Sequence, residues 1–143
     1  MKKTVLLFSL AVAVCTTACS GLKKQKTTED FTNVKWELEY ISGPKIAFEG
    51  LYTMKKPQIT FNSETHQVSG NSGCNGYSAS YEVTGNSISF GEQGLATKMF
   101  CEGGGEQLFL QTVQKVNSYA IDQDHKLLLK MDDVVMMRFK KVE

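Results

Sequence analysis

From Phe31 onward apolar and polar residues alternate along most of the chain, the signature of strands with one buried face. Trp36, Leu38 and Tyr40 fall on one side, with Lys35, Glu37 and Glu39 on the other. A loop through Gly43, Pro44 and Lys55-Lys56-Pro57 follows, with one short extra strand expected over 47–52. Ile59 and Phe61 mark the next strand, and Val68 one that enters the small, polar run SGNSGCNGYSASY at 69–81. Ala79, Tyr81 and Val83 alternate against Ser80 and Glu82, and Thr84-Gly85-Asn86 predicts a hairpin turn into Ser87-Ile88-Ser89-Phe90. Residues 95–99 read as a short strand or an extended crossing segment. The period then changes. Phe109, Val113, Val116 and Ala120 recur at helical spacing, with Leu110 widening the stripe, which predicts one amphipathic helix over 106–118. Glu102 and Glu106 stand at its start, where the positive end of the dipole favours carboxylates. Tyr119-Ala120-Ile121, then Leu127, Leu129 and Met131, then Val135, Met137 and Phe139 close the pattern, with turns at 122–124 and 132–133. The expected fold class is mainly β (α+β): an antiparallel sheet curled into a small barrel or sandwich, with one helix packed on an open end or edge.

The first 18 residues break this pattern. Lys2 and Lys3 precede an apolar stretch from Val5 to Val14, and small residues precede Cys19, the three parts of a secretion signal. The apolar stretch is about ten residues, against the roughly 20 that span a bilayer. Thr16-Thr17-Ala18-Cys19 resembles a bacterial lipobox, although Thr16 stands where leucine is usual. Cleavage there makes Cys19 the acylated first residue and the link to a membrane. Val14, β-branched before Cys15, makes the earlier cysteine a poorer site. Residues 20–30, with the basic stretch Lys23 to Lys26, then read as a polar linker, and 31–143 as a single domain. Ser20 is not the aspartate associated with inner-membrane retention, which favours an outer-membrane anchor facing the periplasm.

Loss of Lys2 and Lys3 takes the sixteen basic residues to fourteen against fifteen acidic ones, so no concentrated positive field remains for nucleic acid. Loss of Cys15 and acylation of Cys19 leave Cys74 and Cys101, an even pair that reads as a disulfide in an exported domain. A metal site using both cysteines with His66 and His125 competes with it, but lacks CxxC or HxxxH spacing. No metal or cofactor is expected.

Several separated features coincide with one family. They are Trp36-x-Leu38, Pro57-x-Ile59-x-Phe61, Val68-Ser69-Gly70-x-x-Gly73-Cys74-Asn75-x-Tyr77 with Tyr81, Thr97-Lys98-Met99-Phe100-Cys101, Glu106 with Phe109-Leu110, and the Leu127-x-Leu129 and Phe139 strands. In this order they resemble the META/HslJ-like domain of exported bacterial proteins over roughly 34–139. Lys98-Met99-Phe100 departs from the Arg-Met-Ala of many members, and Ala79 stands near a common glycine. The resemblance implies a barrel-like sheet with a helix, lipid anchoring in the envelope, and associations with stress tolerance. It implies no reaction. Cys74 and Cys101 match its cysteine pair, with Gly73 and Asn75 as structural neighbours.

Three functional classes remain. Gly70-Asn71-Ser72-Gly73 suggests a serine nucleophile, but Cys74 replaces the last glycine of G-x-S-x-G, and a triad needs His66 or His125 beside Ser72. A small apolar ligand carrier is the second class, its barrel interior lined by Trp36, Phe61, Tyr81, Phe90, Met99 and Met137. The third, and the one preferred, is a non-enzymatic envelope lipoprotein working through an unknown protein partner or in envelope stress tolerance. In that reading Gly70, Gly73 and Asn75 shape a bend that aims Cys74 at Cys101.

Overall fold

The alternating segments pair in sequence order, each with the next. In the computed structural model, which describes residues 31–94 and 98–143, the strands are β1 (Lys35–Ile41), β2 (Gln58–Asn62), β3 (Gln67–Asn71), β4 (Gly76–Thr84), β5 (Ser87–Gln93), β6 (Ser118–Ile121), β7 (Leu127–Met131) and β8 (Val134–Val142). All pairs are antiparallel, and β8 returns to β1 through Leu38↔Phe139 and Ile41↔Met137, closing the ring. Closure pairs most of the edge that an open sheet must protect, the narrowest join being β5 to β6 at Ser87↔Ser118. Among the described residues two helices accompany the strands, α1 (Phe48–Leu51) and α2 (Gly105–Val113).

The period of two puts Trp36, Leu38, Ile59, Phe61, Val68, Tyr81, Ile88, Leu127, Leu129, Met137 and Phe139 inside one continuous core. Phe61 packs edge-on against Phe31 and Tyr81, with ring centroids 4.9 and 5.1 Å apart. On the outer face β1 and β8 are joined by charge. Glu39 accepts from Lys126 at 2.7 Å and Arg138 at 2.6 Å, and Glu37 accepts from Gln58 at 2.8 Å and lies 3.3 Å from Lys140.

Four local expectations change. The short strand expected over 47–52 is a single helical turn, α1, with Leu51 and Tyr52 buried. Tyr40 faces outward, because the ladder to β8 shifts by one residue between Leu38 and Tyr40 and hands the inner position to Ile41. The helix expected to reach Ser118 ends at Val113; Val116 is buried after a turn, and Ser118 already belongs to β6. Val83 and Met131, near strand ends, are exposed.

Connections of an up-and-down barrel emerge alternately at its two ends. One end holds the chain entering β1, where Asn33 bonds Phe61 and Ser63, together with the β2–β3, β4–β5 and β6–β7 turns. The opposite end gathers the long β1–β2 loop with α1, the β3–β4 loop, the β5–β6 connection with α2, and the β7–β8 turn. Among the described residues no helix is long and apolar enough to cross a membrane.

Candidate functional site

The β3–β4 loop, Ser72 to Asn75, is the tightest polar cluster of the opposite end. Two glycines prepare it. Gly70 pairs with Ile59, and any side chain there collides with the Gln58 carbonyl of β2. Gly73 has φ +104°, and a Cβ on it lies 2.5 Å from the Tyr52 ring. Asn71 Oδ1 accepts from the Gly73 N–H at 2.9 Å, and the Ser72 N–H donates to the Asn75 carbonyl at 3.0 Å. Cys74 and Asn75 are thereby turned toward residues 99–101. The Cys74 and Cys101 sulfurs lie at disulfide distance, with Cα atoms 6.0 Å apart. The Asn75 side chain holds the same segment a second way. Its Oδ1 accepts from the Met99 N–H at 2.8 Å and its Nδ2 donates to the Met99 carbonyl at 2.9 Å, the two-point contact that a neighbouring strand makes.

Glu106, in the first turn of α2, ties both contacts to the helix. Oε1 accepts from the Ser72 hydroxyl at 2.6 Å and the Asn75 N–H at 3.2 Å; Oε2 accepts from Asn75 Nδ2 at 2.9 Å. The helix dipole adds to the attraction for this carboxylate. Oε2 is also 3.1 Å from Cys101 Sγ. Gly103, before the helix, and Gly105, its first residue, let α1 come close: a Cβ on Gly103 meets the Gly50 carbonyl, one on Gly105 meets the Leu51 carbonyl and the Tyr52 ring, and the Tyr52 hydroxyl donates to the Gly105 carbonyl at 3.1 Å. Burial pushes the Tyr52 phenol well above the ordinary tyrosine range, so it remains a donor.

The structure brings Ser72, Cys74, Asn75, Cys101 and Glu106 together, and leaves both histidines out. His66 and His125 are exposed in the β2–β3 and β6–β7 turns, at the other end of the barrel. Along β3 alone, His66 stands about 20 Å from Ser72 at 3.3 Å per residue. Ser72 is fully buried, and its hydroxyl is met by Glu106 and the Asn75 carbonyl. The ligand atoms of Cys74, Cys101 and Glu106 lie within 4.8 Å of one another, but sulfurs at bonding distance are not thiolates. The interior proposed for a carrier is filled: Leu38, Phe61, Val68, Phe109, Leu127, Leu129, Met137 and Phe139 have no exposure, and their side chains occupy the space a ligand needs. Met99, read as interior, faces solvent, because Asn75 holds its backbone at the rim. Cys19 and the rest of residues 1–30 lie outside the described residues.

The β3–β4 loop and the residues it clamps lie within the match to one family model. That model, the META domain, matches residues 29–143. The chain belongs to the META domain family. No curated protein matches it. A solved structure described as an NMR structure of the protein from Burkholderia xenovorans is similar in fold, with a TM-score of 0.61 at 23% identity. The likeness covers 78% of this chain and 83% of that one. In this META domain the residue that sequence reasoning undervalued is Glu106. Its position at a helix start pointed to the dipole, and no local spacing revealed that a loop 31 residues earlier uses it as an acceptor.

Proposed function

We propose that the protein is a non-enzymatic bacterial envelope lipoprotein, anchored through Cys19 to the outer membrane facing the periplasm, that acts through protein contacts in envelope stress tolerance. The observation that carries this reading is where the exposed apolar side chains lie. Ile46, Met54, Met99, Phe100, Met131 and Val134 belong to the end of the barrel opposite the entering chain, while Tyr40 lies on the outer face of β1 and Val83 beside the β4–β5 turn. Phe100 is 87% exposed, on a segment that Asn75 and the cysteine pair hold in place. An aromatic side chain kept in water on a braced backbone has lost little further entropy to binding, which suits a contact anchor. A tether entering at the other end would direct this surface away from the membrane. Lys45, Glu49, Lys55, Lys56, Lys98 and Glu102, exposed in the same connections, supply charge of both signs, the composition common at interface rims.

A hydrolase at Ser72 has less support, since a fully buried hydroxyl bonded to a carboxylate has neither an imidazole beside it nor room for a substrate. The test is crosslinking in intact cells followed by pull-down, with the native chain beside a Phe100→Asp, Met54→Asp variant. Loss of one reproducible protein partner in the variant, at equal abundance, is the expected result. An unchanged set of partners sinks the reading.

A further inference from the structure

The weakest seam of the barrel lies between β5 and β6, which pair only at Ser87↔Ser118. Beyond it β5 turns away, because an extra residue around Gly91 shifts the ladder to β4 between Tyr81↔Phe90 and Ala79↔Gln93. Among the described residues the stretch from Ser89 to Gln93 therefore has a strand neighbour on one edge only. α2 stands across the gap, and the Gln114 side chain donates to the Gly91 carbonyl at 3.1 Å where a strand amide would otherwise do so.

Between helix and strand is a cleft of about 570 Å³, within the usual size of small-ligand pockets. Its apolar lining is Leu110, Val113 and Tyr77; four glutamines stand around it with one charge of each sign, Glu92 and Lys115, which offset each other. Tyr77 is 3% exposed, and its hydroxyl is a buried side-chain polar atom without a hydrogen-bond partner among the described residues. Its ring packs edge-on against Phe109, 5.4 Å between centroids, so the phenol is held in place. A buried hydroxyl is ordinarily satisfied.

We propose that this cleft binds a short, uncharged, extended peptide carrying an apolar side chain. Three features select that chemistry together. The open edge of β5 offers backbone groups for strand addition. The glutamine amides supply paired donors and acceptors of the kind that peptide groups match, with no dominant charge to favour an ion. The floor takes an apolar side chain, and a peptide that moves the rim side chains aside gives the buried Tyr77 hydroxyl a carbonyl to donate to. This site is separate from the apolar end of the barrel and stands whether or not that end docks a protein.

The test titrates the purified protein, isotopically labelled for NMR, with the capped peptide acetyl-Thr-Val-Leu-Val-Thr-amide and with its all-D mirror image. The expected result is saturable shifts at Glu92, Gln93, Gln107 and Gln111 with the L peptide alone. Tyr77→Phe keeps the ring, should leave the unfolding midpoint unchanged or raised, and should weaken binding about fivefold to tenfold. Gln111→Ala, on the exposed rim, should weaken it too. Equal binding of the mirror peptide, which has the same hydrophobicity, overturns strand addition. So do shifts scattered away from the cleft, an L peptide without saturable shifts, or an affinity unaffected by Tyr77→Phe. A parallel titration with a disaccharide of N-acetylglucosamine that saturates the cleft while the peptide does not would reassign the site to a sugar.

Discussion

Replacing Glu106 with alanine tests the clamp at its centre. The carboxylate accepts three hydrogen bonds, from Ser72 Oγ, the Asn75 N–H and Asn75 Nδ2. The Ser72 hydroxyl can turn to the Asn75 carbonyl, 3.1 Å away, so its loss is small. The two Asn75 donors are served less well: the backbone N–H loses its acceptor, and Nδ2, which already donates to the Met99 carbonyl, has beyond it only Cys101 Sγ, a weak acceptor 3.2 Å away. Hydrogen bonds to a charged group contribute about 1.5 to 3 kcal/mol each. Glu106 is half-buried and water can reach part of the site, so the lower figure applies, giving about 3 kcal/mol for the pair. A first-turn carboxylate adds a few tenths through the dipole. With a urea m-value of about 1.5 kcal/mol/M, the midpoint should fall by about 2 M at unchanged m. Glu106→Gln keeps one acceptor oxygen but turns an amide toward the Asn75 side-chain donor, so it should fall between native and alanine. Urea unfolding of the oxidised protein measures all three. A loss under about 0.5 kcal/mol for Glu106→Ala, the size of an ordinary surface change, would refute the claim that this carboxylate holds the loop to the helix.

Replacing both Cys74 and Cys101 with serine should lower stability by about 3.6 kcal/mol on the chain-entropy scale for a link across this separation; two alkylatable thiols in the unreduced native protein would show instead that no bridge forms. Gly70→Ala should cost about 2 to 3 kcal/mol, because the new Cβ meets the Gln58 carbonyl and lies 2.9 Å from the Ile59 Cα within the paired backbone of β2, which thermal unfolding measures and a neutral result contradicts. Glu37 and Glu39 both titrate below the ordinary glutamate range. For Glu37 the Gln58 hydrogen bond leads; for Glu39 burial opposes the shift, and the bonds from Lys126 and Arg138 outweigh it. Their contribution is present above about pH 4.3 and is lost as pH falls through the lowered folded values, so stability should decline on acidification below about pH 5. Glu39→Gln should flatten that decline, and an equally steep acid profile in this variant would count against the pairing.

Where sequence and structure agree, one physical rule serves for both. A barrel strand buries every second residue, so Trp36, Leu38, Ile59, Phe61, Leu127, Leu129, Met137 and Phe139 were readable from period alone. The rule fails where the ladder slips. Tyr40 continues the alternation from Leu38, yet the bulge against β8 reverses its facing, and an extra residue in the pairing has no signature in a single strand. The helix was overextended for a related reason. Val116 keeps helical spacing from Val113, but its burial comes from a turn that delivers Ser118 to β5, and burial by a turn or by a helix leaves the same spacing.

The candidate site divides the same way. Glycines and an asparagine at a strand end announce a bend from local chemistry alone, and an even cysteine count suggests what the bend is for. What Ser72 does depends on a partner 34 residues away on another element, which no local pattern encodes. A serine among glycines looks like a nucleophile in sequence because exposure and partners are absent from the string. Once the hydroxyl is buried against a carboxylate and both histidines emerge at the other end of the barrel, the same residues read as a junction. The junction fixes the backbone that carries Phe100, so the small, polar run at 69–81 bears on function by deciding which apolar side chain the barrel holds out to solvent.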